Sequence, residues 1–424
     1  MKKVALFLII VIAIPLLFGS AQGEPQLLHN YYTIQEDTEE LANMYPDIAI
    51  YREHGESAMG SLSIFSVDVA LNINELSEEE LRALPTMYVD AAHHGNEQMA
   101  VEAAYFFLKE VLEKSADDPT YLEGKRLVVT PVVNADGYLI DCRNNAMGVD
   151  LNRNYPYMWG EYGTSGTPSL CPASGTYRGS SAGSEIETQA NMELMSGMNL
   201  YVYLSGHTGS NDIVLPWKIT GEYAVDIPDW ELYERFLEAS NNVSGLEYRD
   251  PSGAGESIAW GYGARTAVSV IVEVDEMQWF IATYDDAREF LDNELKMYEM
   301  AWENLTLMGG NIQIENIEND KIMLKNIGWG AAYNITYGKQ IVEIVESEEI
   351  VVLNIEYETD NSMIDMITYN RMNITGEGES MTEVEISIRE ETGYMEQQKW
   401  IPYPNIMLVI LIVIMSVRLR DRND

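Results

Sequence analysis

Short apolar runs and longer stretches with apolar residues every three or four positions alternate from about residue 60 to residue 300. Ser61–Val67, Met87–Ala92, Arg126–Thr130, Leu200–Leu204 and Val268–Val272 are rich in Val, Ile, Leu and Tyr and predict strands. Gln98–Leu112 and Ser184–Met195 carry the helical period, as does Ile34–Tyr51 ahead of them. Strands alternating with helices that cover them predict an α/β layer architecture, a mixed central sheet flanked by helices. After Gly309-Gly310 the helical period disappears. Ile312–Ile314, Ile322–Leu324, Val342–Val345, Ile350–Ile355, Ile364–Tyr369 and Val384–Ile388 are short segments punctuated by turn residues, the pattern of an all-β sandwich. Within it, Lys325–Ile335 is similar to the strand-and-turn phrase of immunoglobulin-like modules.

Both ends of the chain carry membrane signals. Met1-Lys2-Lys3, the apolar run Val4–Phe18 and the small residues Gly19-Ser20-Ala21 read as a secretory signal peptide. Ile401–Val417 is seventeen residues without a charge, followed by Arg418, Arg420 and Arg422, which predicts a membrane span with a positive cytoplasmic flank and the bulk of the chain outside. The expected organisation is a signal peptide over 1–23, an α/β domain over 24–308, a β-sandwich over 309–399, and an anchor with a short tail over 400–424. Trp400–Pro404 makes a stiff junction, and no propeptide is expected between the signal and the first helix. Asn242, Asn304, Asn334 and Asn373 stand in glycosylation triplets, which suit an exported surface. In an oxidising compartment the two cysteines, Cys142 and Cys171, are expected to form a disulfide rather than a metal site.

Charge removes one class of function. The 424 residues include 68 Asp and Glu against 26 Lys and Arg, a net charge of -42 that repels nucleic-acid phosphate. Composition is otherwise that of a folded protein, with 46% hydrophobic and 22% charged residues.

Only five histidines occur, at 29, 54, 93, 94 and 207. His94 and Glu97 lie three apart between a predicted strand and a predicted helix, so one turn can aim both at a common point. His207, at the end of another predicted strand, would complete a His2Glu site for one zinc ion with a fourth position open to water. His-x-x-Glu alone is a weak signal, and an ordinary surface pair is the commoner reading.

The surrounding phrases strengthen it. His94-Gly-Asn-Glu97, Pro131–Tyr138, Arg143–Asn154, Ser205-Gly-His207 and Val270–Glu273 stand in the order and approximate spacing of the zinc metallocarboxypeptidases, which residues 30–300 resemble. The first and third phrases are most similar to the carboxypeptidase N/E/D branch, and the stretches around His207 and Trp260 to the A and T style. The resemblance implies a peptidase acting on peptide or protein C-termini, which the signals at the two chain ends would place outside the cell on a membrane tether. It implies that Glu273 is the general base, Arg143 stabilises the developing oxyanion, and Asn152 with Arg153 captures the terminal carboxylate. Tyr248 is the nearest candidate for the family's mobile capping tyrosine, although aligning Ser252-Gly253 would put Arg249 there. Ile258 matches the floor of the side-chain pocket. Lys218 stands where the N/E/D branch places an Asp that grips basic side chains, so an apolar or acidic C-terminal residue is the expected preference. Two other readings remain open at this point: hydrolysis of cell-wall or isopeptide-linked peptides by the same site, and a non-enzymatic surface binding protein.

Overall fold

The first eight strands form one mixed sheet: β1 (Ala49–Glu56), β2 (Ser63–Ala70), β3 (Pro85–Ala91), β4 (Arg126–Thr130), β5 (Asn199–Thr208), β6 (Asp212–Val214), β7 (Glu247–Arg249) and β8 (Val268–Val274). Their order is β1-β2-β4-β3-β5-β8-β6-β7. The central strands β4, β3, β5 and β8 run parallel, β1 and β2 are antiparallel to their neighbours, and β6 is antiparallel to β8 but parallel to β7. This is a computed structural model, and it describes residues 28–160, 175–216, 227–250, 255–275, 284–356, 364, 366–373, 383–391 and 394–399. The expected signal peptide and C-terminal span lie outside these residues. Among the described residues no helix is long and apolar enough to cross a membrane.

The central strands are buried on both faces because helices cover them. Gln98–Asp117 is a 20-residue helix whose Met99, Ala103, Phe107, Leu108 and Val111 are buried in the main apolar core. The helical period over Ile34–Tyr51 is cut short: the helix is Tyr31–Met44, and Pro46 follows it. Tyr51 belongs instead to β1, opposite Val67 of β2. The first helix starts on a capping box in which Asn30 accepts from the backbone of Thr33 and the Thr33 hydroxyl accepts from the Asn30 N–H.

Strands β9 (Ile312–Glu318), β10 (Lys321–Asn326), β11 (Ala332–Tyr337), β12 (Gln340–Val345), β13 (Ile350–Asn354), β14 (Met366–Asn370), β15 (Glu383–Glu391) and β16 (Tyr394–Lys399) make two further sheets, ordered β13-β10-β9 and β12-β11-β14-β15-β16. Ile322 and Leu324 from one sheet and Ile335, Tyr337, Ile367 and Ile386 from the other share one apolar core, which makes a sandwich. Strand β16 had no expectation in the sequence pattern, and β11 overlaps only the end of the Lys325–Ile335 phrase. The sandwich is pinned to the large sheet by Arg371, 2% exposed, which donates to the carbonyls of Met308, Leu200 and Thr266 and stacks on the Tyr201 ring at 3.8 Å. A buried guanidinium is tolerated there because the carbonyls and the aromatic face replace its water.

Candidate metal centre and catalytic hollow

The carboxyl ends of β3, β5 and β8 lie side by side, the edge where open α/β sheets bind ligands. His207 on β5 is the register partner of Glu273 on β8. His94 follows β3 in a turn that ends at Glu97, the residue capping the Gln98–Asp117 helix. That turn needs Gly95: a Cβ there would lie 2.1 Å from the Gly137 carbonyl carbon and 2.5 Å from the Cys142 oxygen. The Gly95 N–H donates to the Arg143 carbonyl, which also accepts from the Asn134 amide, so the same contacts place the Arg143 loop.

Side chains of His94, Glu97 and His207, all buried, bring ligand atoms within 4.8 Å of one another. His94 Nδ1 lies 2.7 Å from Glu97 Oε1, and His207 Nδ1 lies 2.8 Å from Glu97 Oε2 and 3.1 Å from His94 Nδ1. Two imidazole nitrogens and a carboxylate are the donor set of open zinc sites, and the nitrogen–nitrogen separation is close to the ~3.3 Å of ligands on a tetrahedral zinc centre. The residues fit the ion. His94 Nε2 faces Asp150 Oδ1 at 3.0 Å, which fixes the ring with Nδ1 toward the centre. Burial opposes the Glu97 charge, but the two histidines outweigh it and hold its pKa well below the carboxylate range, as a ligand carboxylate requires.

A hollow of about 520 Å³ opens at this centre, and Glu273, Arg143, Asn152, Arg153 and Arg249 line it. Burial, with Glu97 and Asp212 nearby, raises the Glu273 pKa above the ordinary value, against the pull of His207 and Arg249. Arg143 donates to Asp150 Oδ2 at 2.9 Å and lies 3.6 Å from Glu97, with about a third of its side chain exposed. Asn152 is buried and accepts from the Ser257 N–H at 2.9 Å. Arg153 sits 3.2 Å from Glu256. Close approach places this pair: Gly255, at φ +72°, has no room for a Cβ, which would lie 2.5 Å from the Arg153 oxygen.

Other expectations are redirected. Tyr248 does not reach the hollow. Residues alternate faces along a strand, so on β7 Arg249 enters the hollow while Tyr248, half exposed, packs on Trp230 over a separate depression. Ile258 is fully buried and packs with Val214 and Ile271, two apolar residues that do line the hollow, so it acts from beneath the floor. Lys218 lies outside the described residues. Cys142 is exposed and carries no disulfide among the described residues, and its expected partner Cys171 lies outside them. The remaining histidines are packed away: His29 pairs with Glu102 and Asp37, His54 is largely buried with its pKa pushed down to about 4 by burial, and His93 stacks on His207 and meets the Tyr155 hydroxyl at 2.8 Å.

A sequence profile of the family described as zinc carboxypeptidase matches residues 34–405. The chain is similar to zinc carboxypeptidase A 1 of Drosophila melanogaster, 28% identical over an aligned length of 262 residues, with 55% of this chain and 59% of that protein covered. It is 25% identical to carboxypeptidase B of Bos taurus over 257 residues, 56% of each chain. It thus spans less than two thirds of the length of these relatives. Among solved structures, thrombin activatable fibrinolysis inhibitor superposes with a TM-score of 0.56 at 21% identity, over 66% of this chain and 74% of that one, a likeness of fold.

Proposed function

The chain belongs to the zinc carboxypeptidase family, and from that premise we propose that it is a zinc-dependent carboxypeptidase that removes residues one at a time from the C-termini of peptides or proteins. What supports the reading is one convergence: a buried His2Glu donor set beside a carboxylate of raised pKa, in a hollow that also presents Asn152, Arg153 and Arg143.

Zinc held by His94, Glu97 and His207 supplies a Lewis acid that polarises a carbonyl and makes water acidic near neutral pH. The chain's own residues account for the remaining needs. Glu273 takes the proton of the attacking water and delivers it to the amine that leaves as the peptide C–N bond breaks. Burial raises its pKa, which favours taking up that proton, and the Arg249 guanidinium opposes the rise. Arg143, anchored on Asp150, directs its exposed edge to the oxygen where negative charge develops. Arg153 forks onto the terminal carboxylate beside the Asn152 amide, while Glu256 holds the guanidinium in place. Ile258, Val214 and Ile271 give the side-chain pocket an apolar floor, and with Lys218 they favour an apolar or acidic last residue.

The test is release of the C-terminal residue from paired peptides ending in Leu, Glu or Lys, each as free acid and as amide. The Leu and Glu acids should be cleaved faster than the Lys acid, and amidation should lower kcat/KM at least ~10²-fold by removing the charge that Arg153 recognises. Equal cleavage of acid and amide would refute carboxylate capture.

We further read the unit as exported and tethered by Ile401–Val417, with the sandwich of residues 309–399, immunoglobulin-like in its Lys325–Ile335 phrase, standing between the catalytic unit and the surface. Truncation after residue 399 should move the protein from the membrane pellet to the soluble fraction. A full-length chain that is already soluble would contradict the anchor.

A further inference from the structure

We infer that Arg249, held by Asp212, is a positioning residue that fixes the carboxylate of Glu273 for proton transfer. This rests on the reading of Glu273 as the general base. Asp212 on β6 is the register partner of Glu273 on β8, so the antiparallel pairing sets two carboxylates opposite each other. Like charges in that relation destabilise a sheet unless a cation joins them. Arg249 does so. Its Nε lies 3.1 and 2.8 Å from the two Asp212 oxygens, and one terminal nitrogen donates to Glu273 Oε1 at 3.0 Å. A planar guanidinium presents its donors at fixed angles, so anchoring its Nε edge on Asp212 dictates where the next nitrogen points. A lysine ammonium, a point charge on a flexible stem, would not transmit that geometry.

The anchor is rigid because it is built on paired backbone. Arg249 is the register partner of Val214, and its carbonyl accepts from the Leu215 N–H at 3.2 Å. β6 in turn pairs with β8, which carries Glu273. With Oε1 held by Arg249, the second oxygen of Glu273 has no hydrogen bond among the described residues and lies beside Gly209 in the lining of the hollow. One oxygen is therefore fixed and the other is presented. Among the described residues, the charged groups facing this carboxylate are Arg249 from β7, Asp212 from β6, His207 from β5 and Glu97 from the turn after β3. Of these, Arg249 is the one whose hydrogen bond holds the carboxylate, at 3.0 Å from Oε1.

The experiment compares kcat, KM and the pH dependence of kcat/KM for the zinc-loaded wild type, Arg249→Met, Arg249→Lys and Asp212→Asn on one well-cleaved peptide. Arg249→Met should lower kcat ~10–100-fold, the loss expected for a misplaced catalytic group, with KM changed less than about threefold. The acidic limb of its profile should move to higher pH, because a carboxylate that loses a neighbouring cation holds its proton more tightly. Arg249→Lys should keep the limb near the wild-type position and recover only part of kcat. Asp212→Asn should lower kcat by less than Arg249→Met. If Arg249→Met fails to fold, the lysine and asparagine variants carry the comparison. A merely structural arginine would lower the melting temperature without moving the limb, and that result would overturn the inference. So would an effect confined to KM, which would make Arg249 a substrate contact. A wild type that binds zinc but releases no C-terminal residue would overturn the proposed function and this inference with it, whereas an active wild type indistinguishable from Arg249→Met overturns this inference alone.

Discussion

Glu273→Gln is expected to lower kcat by roughly 10²–10⁴-fold, the range for removing a general base, while zinc content and KM stay near wild type. The amide is isosteric with the carboxylate and can still accept from Arg249 at its remaining oxygen, so the site should keep its shape. It cannot accept a proton from water. Glu273 stands outside the His94–Glu97–His207 ligand set, so its loss should leave metal binding intact. Metal analysis with steady-state kinetics on the folded variant checks this. A kcat within tenfold of wild type would remove Glu273 from the role of base.

Removing a ligand should have the opposite signature. His207→Ala is expected to weaken zinc binding by more than ~10²-fold and take C-terminal release to background, since a site reduced to His94 and Glu97 no longer closes around the ion. Asp150→Asn should be milder, at about 10–100-fold in zinc affinity, because Asp150 orients the His94 ring and anchors Arg143 without reaching the metal position. Competition with a chromophoric chelator ranks the three proteins independently of turnover. Equal affinity in wild type and His207→Ala would displace the assigned centre.

The centre was legible before any coordinates because its chemistry is concentrated in a few phrases. His94 and Glu97 are three apart, and His207 and Glu273 each end a strongly apolar strand, so pattern and chemistry pointed to the same edge of one sheet. Arg126–Thr130 was readable as a strand with its bounds for the same reason: it is a buried central strand with an uninterrupted apolar run. The other side of the hollow was not legible. β6 and β7 are three residues each, too short for any period to show, and the pairings of β7 with β6 and of β6 with β8 are non-local. Without that strand, the alternation that turns Tyr248 outward and Arg249 inward could not be seen. Glu256 had no signal either, since its pairing with Arg153 depends on the close approach of the Gly255 backbone to a distant turn.

The most direct measurement is a zinc titration of the chelator-stripped full-length chain, following release of the C-terminal residue from a peptide with a free carboxylate. Activity should rise linearly and break at one zinc per chain, with the Glu273→Gln variant binding the same amount of zinc and showing turnover lowered by the same large factor throughout. Release that is independent of zinc, or that survives in Glu273→Gln at the wild-type rate, would contradict the assignment of this hollow as the site of a zinc carboxypeptidase.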